Sequence, residues 1–171
     1  GLKVLGARGF NLTMPDKNLM VSLCDELSTA ARIIGAVNTV VNENGRLIGH
    51  NTDGIGYMQS VKDAGYDIIG KKMTLLGAGG AATAILVQAA LDGLKEIAVF
   101  VRPTSRFYDR LVHTVEELTE ITDCRIRICD FSDADLLKKE LAGSGGEFVA
   151  EGDHEIFIRH GQVEAAGTEN L

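Results

Sequence analysis

Cysteine is scarce in this chain and forms no motif. Cys24, Cys124 and Cys129 have neither metal-ligand nor redox spacing, and an odd count does not suit a secreted disulfide scaffold. Buried thiols in a reduced, cytoplasmic setting are the expectation. Histidine is equally thin: His50, His113, His154 and His160 share no ligand spacing, so no metal site is expected. Basic charge is in deficit, with 17 Lys and Arg against 24 Asp and Glu and a net charge of -7. That balance argues against a nucleic-acid or anionic-membrane surface, both of which want a basic face. No apolar stretch is long enough to span a bilayer, and there are no internal repeats or low-complexity tracts. The opening Gly1-Leu-Lys-Val-Leu-Gly6 is no secretion signal and reads as the interior of a longer chain.

What remains is ordinary soluble composition, 45% hydrophobic and 24% charged over 171 residues, enough for one domain or two small ones. Within it, Gly77-Ala78-Gly79-Gly80-Ala81-Ala82 stands out. A short apolar run, Met73 to Leu76, precedes it and helix formers from Ala81 to Leu91 follow, closed by Gly93. The pattern Gly-x-Gly-x-x-Ala between strand and helix is a form of the dinucleotide fingerprint. Gly77 allows the tight turn, Gly79 lets backbone approach a pyrophosphate, and Ala82 lets helix pack on strand. The helix N-terminus then offers N–H groups and partial positive charge to the anion. A Gly-rich structural turn is the bland alternative.

Helices are expected over Asn18–Cys24 and Ser28–Ile34, the second opened by a Ser-Thr cap. Runs over Ala36–Asn42 and Arg46–Asn51 flank Glu43-Asn44-Gly45 and predict a hairpin. Asp53 stands where a helix N-cap belongs, ahead of a helix over Gly54–Ala64 stopped by Gly65. Beyond the fingerprint come a strand over Ile97–Val101, a helix over Arg110–Thr119, a strand over Arg125–Cys129 and a helix over Asp135–Leu141. This alternation predicts a parallel sheet with helices on its faces. From Gly143 the alternation does not continue; a polar, acidic tail holds one short apolar run, Glu155 to Ile158.

Three polar clusters lie upstream of the fingerprint: Asn11-Leu-Thr-Met-Pro-Asp-Lys17, Gly35-Ala-Val-Asn-Thr39 and Gly49-His-Asn-Thr-Asp-Gly54. Polar residues at element ends, ahead of a dinucleotide unit, suit a hydroxylated ligand in a cleft. A lysine beside a carboxylate can shuttle a proton to or from a hydroxyl. Taken singly, each has a bland reading: Asp53 as a helix cap, Asn38 as a strand-end hydrogen bonder, Lys17 as a solvated side chain.

Together the clusters resemble the shikimate dehydrogenase family, in particular its quinate/shikimate dehydrogenase branch. An Asn-x-Thr-x-Pro-x-Lys loop, a Gly-Ala-x-Asn-Thr segment and an Asn-Thr-Asp-Gly turn precede a Gly-Ala-Gly-Gly-Ala phosphate loop, in register from about Arg8 to Leu141. The resemblance implies an α/β fold: a Rossmann-like parallel sheet with helices on both faces, preceded by part of an α/β substrate-binding domain. Residues 1–66 would be the C-terminal part of that domain, 67–142 a partial dinucleotide-binding domain and 143–171 a divergent tail. It implies Lys17 and Asp53 as the catalytic dyad, Thr13 and Asn38 as further substrate-binding residues, and Gly77, Ala78, Gly79, Gly80 and Ala81 as the pyrophosphate cradle. The ligand would be shikimate or quinate and the cofactor NADP or NAD. Because the second strand ends in Phe100-Val101-Arg102 with no acid through Arg106, Arg102 and Arg106 favour the 2′-phosphate of NADP. A homo-oligomer is left open. Family members are longer, with a Ser-x-Ser loop ahead of this span and a nicotinamide-side loop after it. A truncated or frame-shifted portion is therefore expected. A non-catalytic nucleotide-binding module is the competing class, and it has no need of Lys17 or Asp53. A dehydrogenase resembling methylenetetrahydrofolate dehydrogenase does not explain the Asn-Thr-Asp-Gly turn.

Overall fold

Short apolar runs broken by turn residues build two main sheets in the computed structural model, which describes residues 4–143, 147–151 and 155–159. The first sheet has four strands in the order β1-β3-β4-β2. They are β1 (Gly9–Asn11), β2 (Glu26–Leu27), β3 (Thr39–Glu43) and β4 (Arg46–His50). β3 and β4 form the expected hairpin, with Glu43 opposite Arg46 and Thr39 opposite His50. Its turn works because Asn44 and Gly45 both take positive φ, 53° and 91°, matching the twist of the strands. β1 runs antiparallel to β3 and β2 parallel to β4; neither strand was expected. β3 starts later than expected, leaving residues 36–38 as the approach to it.

Two short helices pack on this sheet, α1 (Lys17–Val21) and α2 (Thr29–Ile34). Ser28 caps α2 as expected, its hydroxyl accepting from Ala31 N at 3.2 Å. α1 is shorter than expected because the Ser22, Leu23 and Cys24 amides turn back onto Leu19 and Met20 carbonyls.

The second sheet is parallel, in the order β5-β6-β7, from β5 (Lys72–Leu76), β6 (Glu96–Val101) and β7 (Arg125–Asp130). Alternation along β6 sorts its two faces. Ile97, Val99 and Val101 join the core under α4 (Gly80–Leu91) and α5 (Tyr108–Ile121). Ala98 and Phe100 meet Leu136 and Leu137 of α6 (Ala134–Gly143). Helices thus cover both faces, as the alternation predicts. Cys124 and Cys129 are buried and Cys24 half-buried, all three free; burial pushes the Cys124 thiol up to about 11. Past Gly143 the structure departs from expectation. β8 (Glu147–Glu151) and β9 (Glu155–Arg159) pair antiparallel, β8 running close to β5. The rest of the tail lies outside the described residues. No helix among those described is long and apolar enough to cross a membrane.

α3 (Asp53–Asp63) joins the two sheets. Its buried stripe, Gly54, Tyr57, Met58 and Val61, has helical spacing and lies against α4. α4 is buried at almost every position from Ala82 to Ala90, sandwiched between α3 and the parallel sheet. Gly54 lets the two helices close. A Cβ there would stand 2.3 Å from the Ala84 carbonyl oxygen and 2.8 Å from Gln88 Cβ. Gly54→Ala is therefore expected to destabilise the fold by about 1–3 kcal/mol, the usual range for overpacking. A thermal melt reads this as a Tm lowered by about 2–4 °C per kcal/mol; an unchanged Tm would mean the helices separate without cost.

Candidate active site

Lys17 and Asp53 are each the first residue of their helix, α1 and α3, and the fold brings them together across 36 positions of sequence. Lys17 Nζ lies 2.7 Å from Asp53 Oδ2. Asn38, just ahead of β3, donates through Nδ2 to the other oxygen, Oδ1, at 2.8 Å. The carboxylate is thus held on both sides, while its side chain stays 43% exposed. It keeps open lone pairs for a ligand.

The expectation that Asp53 caps α3 is corrected. Thr52 occupies the N-cap position, with no side-chain cap bond, and Asp53 is the first helical residue. The local bonding falls to Asn51: its Oδ1 accepts from Asp53 N at 3.1 Å and its Nδ2 donates to the Ala36 carbonyl at 3.1 Å. This frees the Asp53 side chain to face Lys17. A carboxylate in the first turn also suits the positive end of the helix dipole.

Asn38 is buried and fully engaged. Its amide protons go to Asp53 and to Thr52 Oγ1 at 3.0 Å. Its oxygen accepts from Thr52 N and from Thr39 Oγ1, each at 3.0 Å. Thr13 lies in the exposed turn between β1 and α1, which contains the cis Met14-Pro15 bond. Its carbonyl accepts from Asp16 N at 3.1 Å, and its hydroxyl makes no bond to the dyad among the described residues. Asn11, Thr39, Asn51 and Thr52 were not singled out from sequence. All four sit inside the polar clusters, and their spacing at strand ends was the available signal.

The phosphate turn forms as its composition requires. Gly77 takes φ +93°, open to glycine and costly for other residues, and its N–H bonds the Phe100 carbonyl at 2.8 Å. Gly79 is the N-cap of α4. A cavity of about 440 Å³ opens beside it, lined by Gly77, Ala78 and Gly79 on one side and by Arg102, Thr104 and Ser105 on the other. Phe107 and Phe131 add apolar wall. Gly80 and Ala81 start α4 at the exposed rim. The first N–H groups of α4 have no intrahelical partner. With a guanidinium and two hydroxyls opposite, the residues fit a phosphate-bearing dinucleotide. Arg106 does not join them: its guanidinium sits over the Phe107 ring, 4.6 Å from the centroid. Among the described residues, no group of three His, Cys, Asp or Glu could hold a metal.

One turn along α3 from Asp53, the buried Tyr57 hydroxyl has no hydrogen-bond partner among the described residues. Burial pushes its phenol up to about 12 from 10.0. Because burial penalises only the ionised phenol, the fold keeps its stability below pH 10.0 and loses some of it as pH climbs through about 12. Tyr57→Phe removes the unpaired hydroxyl and should raise stability near neutral pH by about 1 kcal/mol. Urea unfolding at neutral and alkaline pH checks both points. The variant's advantage should widen above pH 10.0; a less stable variant would mean the hydroxyl is bonded.

Comparison with known proteins finds similarity to shikimate and quinate dehydrogenases. The model of the shikimate dehydrogenase substrate binding domain matches residues 1–40. The shikimate dehydrogenase (NADP(+)) of Listeria monocytogenes serotype 4b is 53% identical over 144 residues, 84% of this chain and 49% of that protein. The quinate/shikimate dehydrogenase of Escherichia coli O139:H28 is 45% identical over 144 residues, 84% of this chain and 50% of the relative. Among solved structures, shikimate 5-dehydrogenase from Listeria monocytogenes in complex with shikimate and NAD superposes with a TM-score of 0.83. It is 51% identical, over 89% of this chain and 52% of that one. Quinate dehydrogenase from Corynebacterium glutamicum in complex with NAD gives a TM-score of 0.70 at 27% identity, over 87% of this chain and 51% of that one. The chain spans about half the length of the curated relatives it matches.

Proposed function

Because its matched residues belong to the shikimate dehydrogenase family, we propose that this chain carries the dyad and phosphate turn of a cytoplasmic shikimate or quinate dehydrogenase. The reaction is the reversible, NADP- or NAD-dependent interconversion of the hydroxy acid and its 3-dehydro form, in the route to aromatic amino acids. The observation that carries this reading is the 2.7 Å pair of Lys17 and Asp53, with Asp53 on a helix docked against the one that starts at the phosphate turn. We take residues 1–66 as substrate-binding, 67–142 as dinucleotide-binding and 143–171 as a divergent tail.

In this proposal the reacting hydroxyl lies against both Lys17 Nζ and the Asp53 carboxylate, which are already in contact. The ammonium donates to the substrate oxygen and steadies the charge that grows there. The dyad takes the hydroxyl proton as the alcohol is oxidised and returns it in reverse. Thr13 and Asn38 bind further hydroxyls, Asn38 by exchanging its bond to Thr52. Bound NADP or NAD would supply the nicotinamide that accepts hydride from the carbinol carbon. Gly77 to Ala81 would hold its pyrophosphate. Arg102 favours a 2′-phosphate, and no acid on the β6 loop opposes one; Arg106 would need to leave Phe107 to help.

The test follows NADPH or NADH formation by the purified chain with shikimate and quinate, each paired with NADP and NAD, alongside Lys17→Ala. Turnover that falls at least about 100-fold in the variant, with stability within about 1 kcal/mol of the parent, supports the dyad. Silence in all four pairings from folded protein defeats catalysis by this chain. Nucleotide binding by calorimetry would then point to a binding module.

A further inference from the structure

The hydrogen bonds behind Asp53 run in one direction. Asn11 Nδ2 donates to Thr39 Oγ1 at 2.9 Å. The Thr39 hydroxyl donates to Asn38 Oδ1 at 3.0 Å, a closer contact than its 3.4 Å approach to Thr52 Oγ1. Asn38 Nδ2 then donates to Asp53 Oδ1 at 2.8 Å. The two starting residues meet because Asn11 and Thr39 are register partners on β1 and β3. Asn11 Nδ2 also reaches the Asn38 carbonyl, at 3.4 Å.

We propose that Thr39 and Asn11 are positioning residues: they fix the orientation of the Asn38 amide, and through it the orientation of the Asp53 carboxylate. Which end of an amide is nitrogen is decided by its network. Thr52 N can only donate, and it lies 3.0 Å from Asn38 Oδ1. The Thr39 proton fills the second acceptor direction of that oxygen. Reversing the amide would put NH₂ against a backbone N–H and a carbonyl against a carboxylate. The contacts to Thr52 N and to the Asp53 carboxylate turn repulsive. A threonine hydroxyl can rotate to suit either form, so Thr39 adds to the preference only while its proton stays on Asn38 Oδ1. Successive donors in a chain also polarise one another, and here the last acceptor is an anion. Asn11 matters because it settles which way the Thr39 proton points. The functional weight of this chain rests on the proposed role of Asp53, but its existence does not.

The experiment is side-chain amide NMR on the whole chain, with Thr39→Val, Thr39→Ser and Asn11→Asp variants. The Asn38 Nδ2 protons are expected to exchange several-fold faster in Thr39→Val, with shifted resonances, and Thr39→Ser should restore both. Asn11→Asp presents only acceptors to Thr39, so it should draw the hydroxyl proton away and disturb the Asn38 signals as Thr39→Val does. A shikimate titration of the same samples should show weaker binding in Thr39→Val than in Thr39→Ser. If folded Thr39→Val leaves the Asn38 resonances and exchange unchanged, or Thr39→Ser fails to restore them, the proposal is overturned. The amide readout needs neither turnover nor ligand, so failure of the dehydrogenase reading alone leaves it intact.

Discussion

The close approach of α3 and α4 at Gly54 is the constraint on which the arrangement depends. α3 begins at Asp53 and α4 begins at Gly80, directly behind the phosphate turn. A missing Cβ at Gly54, where one would meet the Ala84 carbonyl at 2.3 Å, lets the helices touch backbone to side chain. Packed helices resist sliding once such contacts are made. The distance between an acid on the first unit and an anion site on the second is therefore set by packing. Two further ties act alongside. Arg110 of α5 donates to the Ile34 carbonyl at the end of α2, and Arg32 of α2 pairs with Glu117 of α5 at 2.8 Å.

Among the carboxylates that meet cations, Glu96 and Asp53 form a contrast. Glu96 is 13% exposed and meets both Lys72 and Arg127, at 3.1 and 2.9 Å. Burial pushes its carboxyl up, but those two cations outweigh burial and hold it below the usual carboxylate range. Arg127 also pairs with Glu140 of α6 at 2.9 Å. That cluster is saturated and ties β5, β6, β7 and α6 together. Asp53 has one cation, one amide and a much larger exposed share. One carboxylate is closed by its partners and the other is held open by them.

What was legible in sequence was local. The phosphate turn needs glycines at fixed spacing between an apolar run and helix formers, and Gly77 to Gly80 supply them. The hairpin was legible because Asn44-Gly45 is a turn with a backbone reason. Ser28 announced its own capping role. β1 and β2 were not legible: at three and two residues they carry no period, and they exist only through partners distant in sequence. Asp53 read as a cap because local reasoning sees only the helix it precedes. Its real partners, Lys17 and Asn38, are 36 and 15 positions away. Arg106 stands apart from the cavity for a local reason, its contact being the adjacent Phe107, a stacking that spacing does not announce. The β8–β9 pair lies in a stretch whose charged and glycine residues hide a strand pattern.

Stability does not explain the polar structure around Asp53. A partly exposed ion pair contributes at most about 1 kcal/mol. A typical neutral hydrogen bond nets about 1 kcal/mol after the loss of water. Asn11, Thr39, Asn38, Thr52 and Asn51 nonetheless converge on this one corner, two of them, Asn38 and Asn51, buried. Part of the set serves the backbone, Asn38 accepting from Thr52 N and Asn51 bridging Asp53 N to the Ala36 carbonyl. The shorter Asn11 bond, the Thr39 proton and the Asn38 amide protons go instead to side chains. What the polar set does that an apolar one cannot is hold a carboxylate in one orientation while leaving it accessible, beside an ammonium at 2.7 Å. Both features are needed to take a proton from an incoming hydroxyl, because a freely rotating acid loses alignment and a buried one loses access.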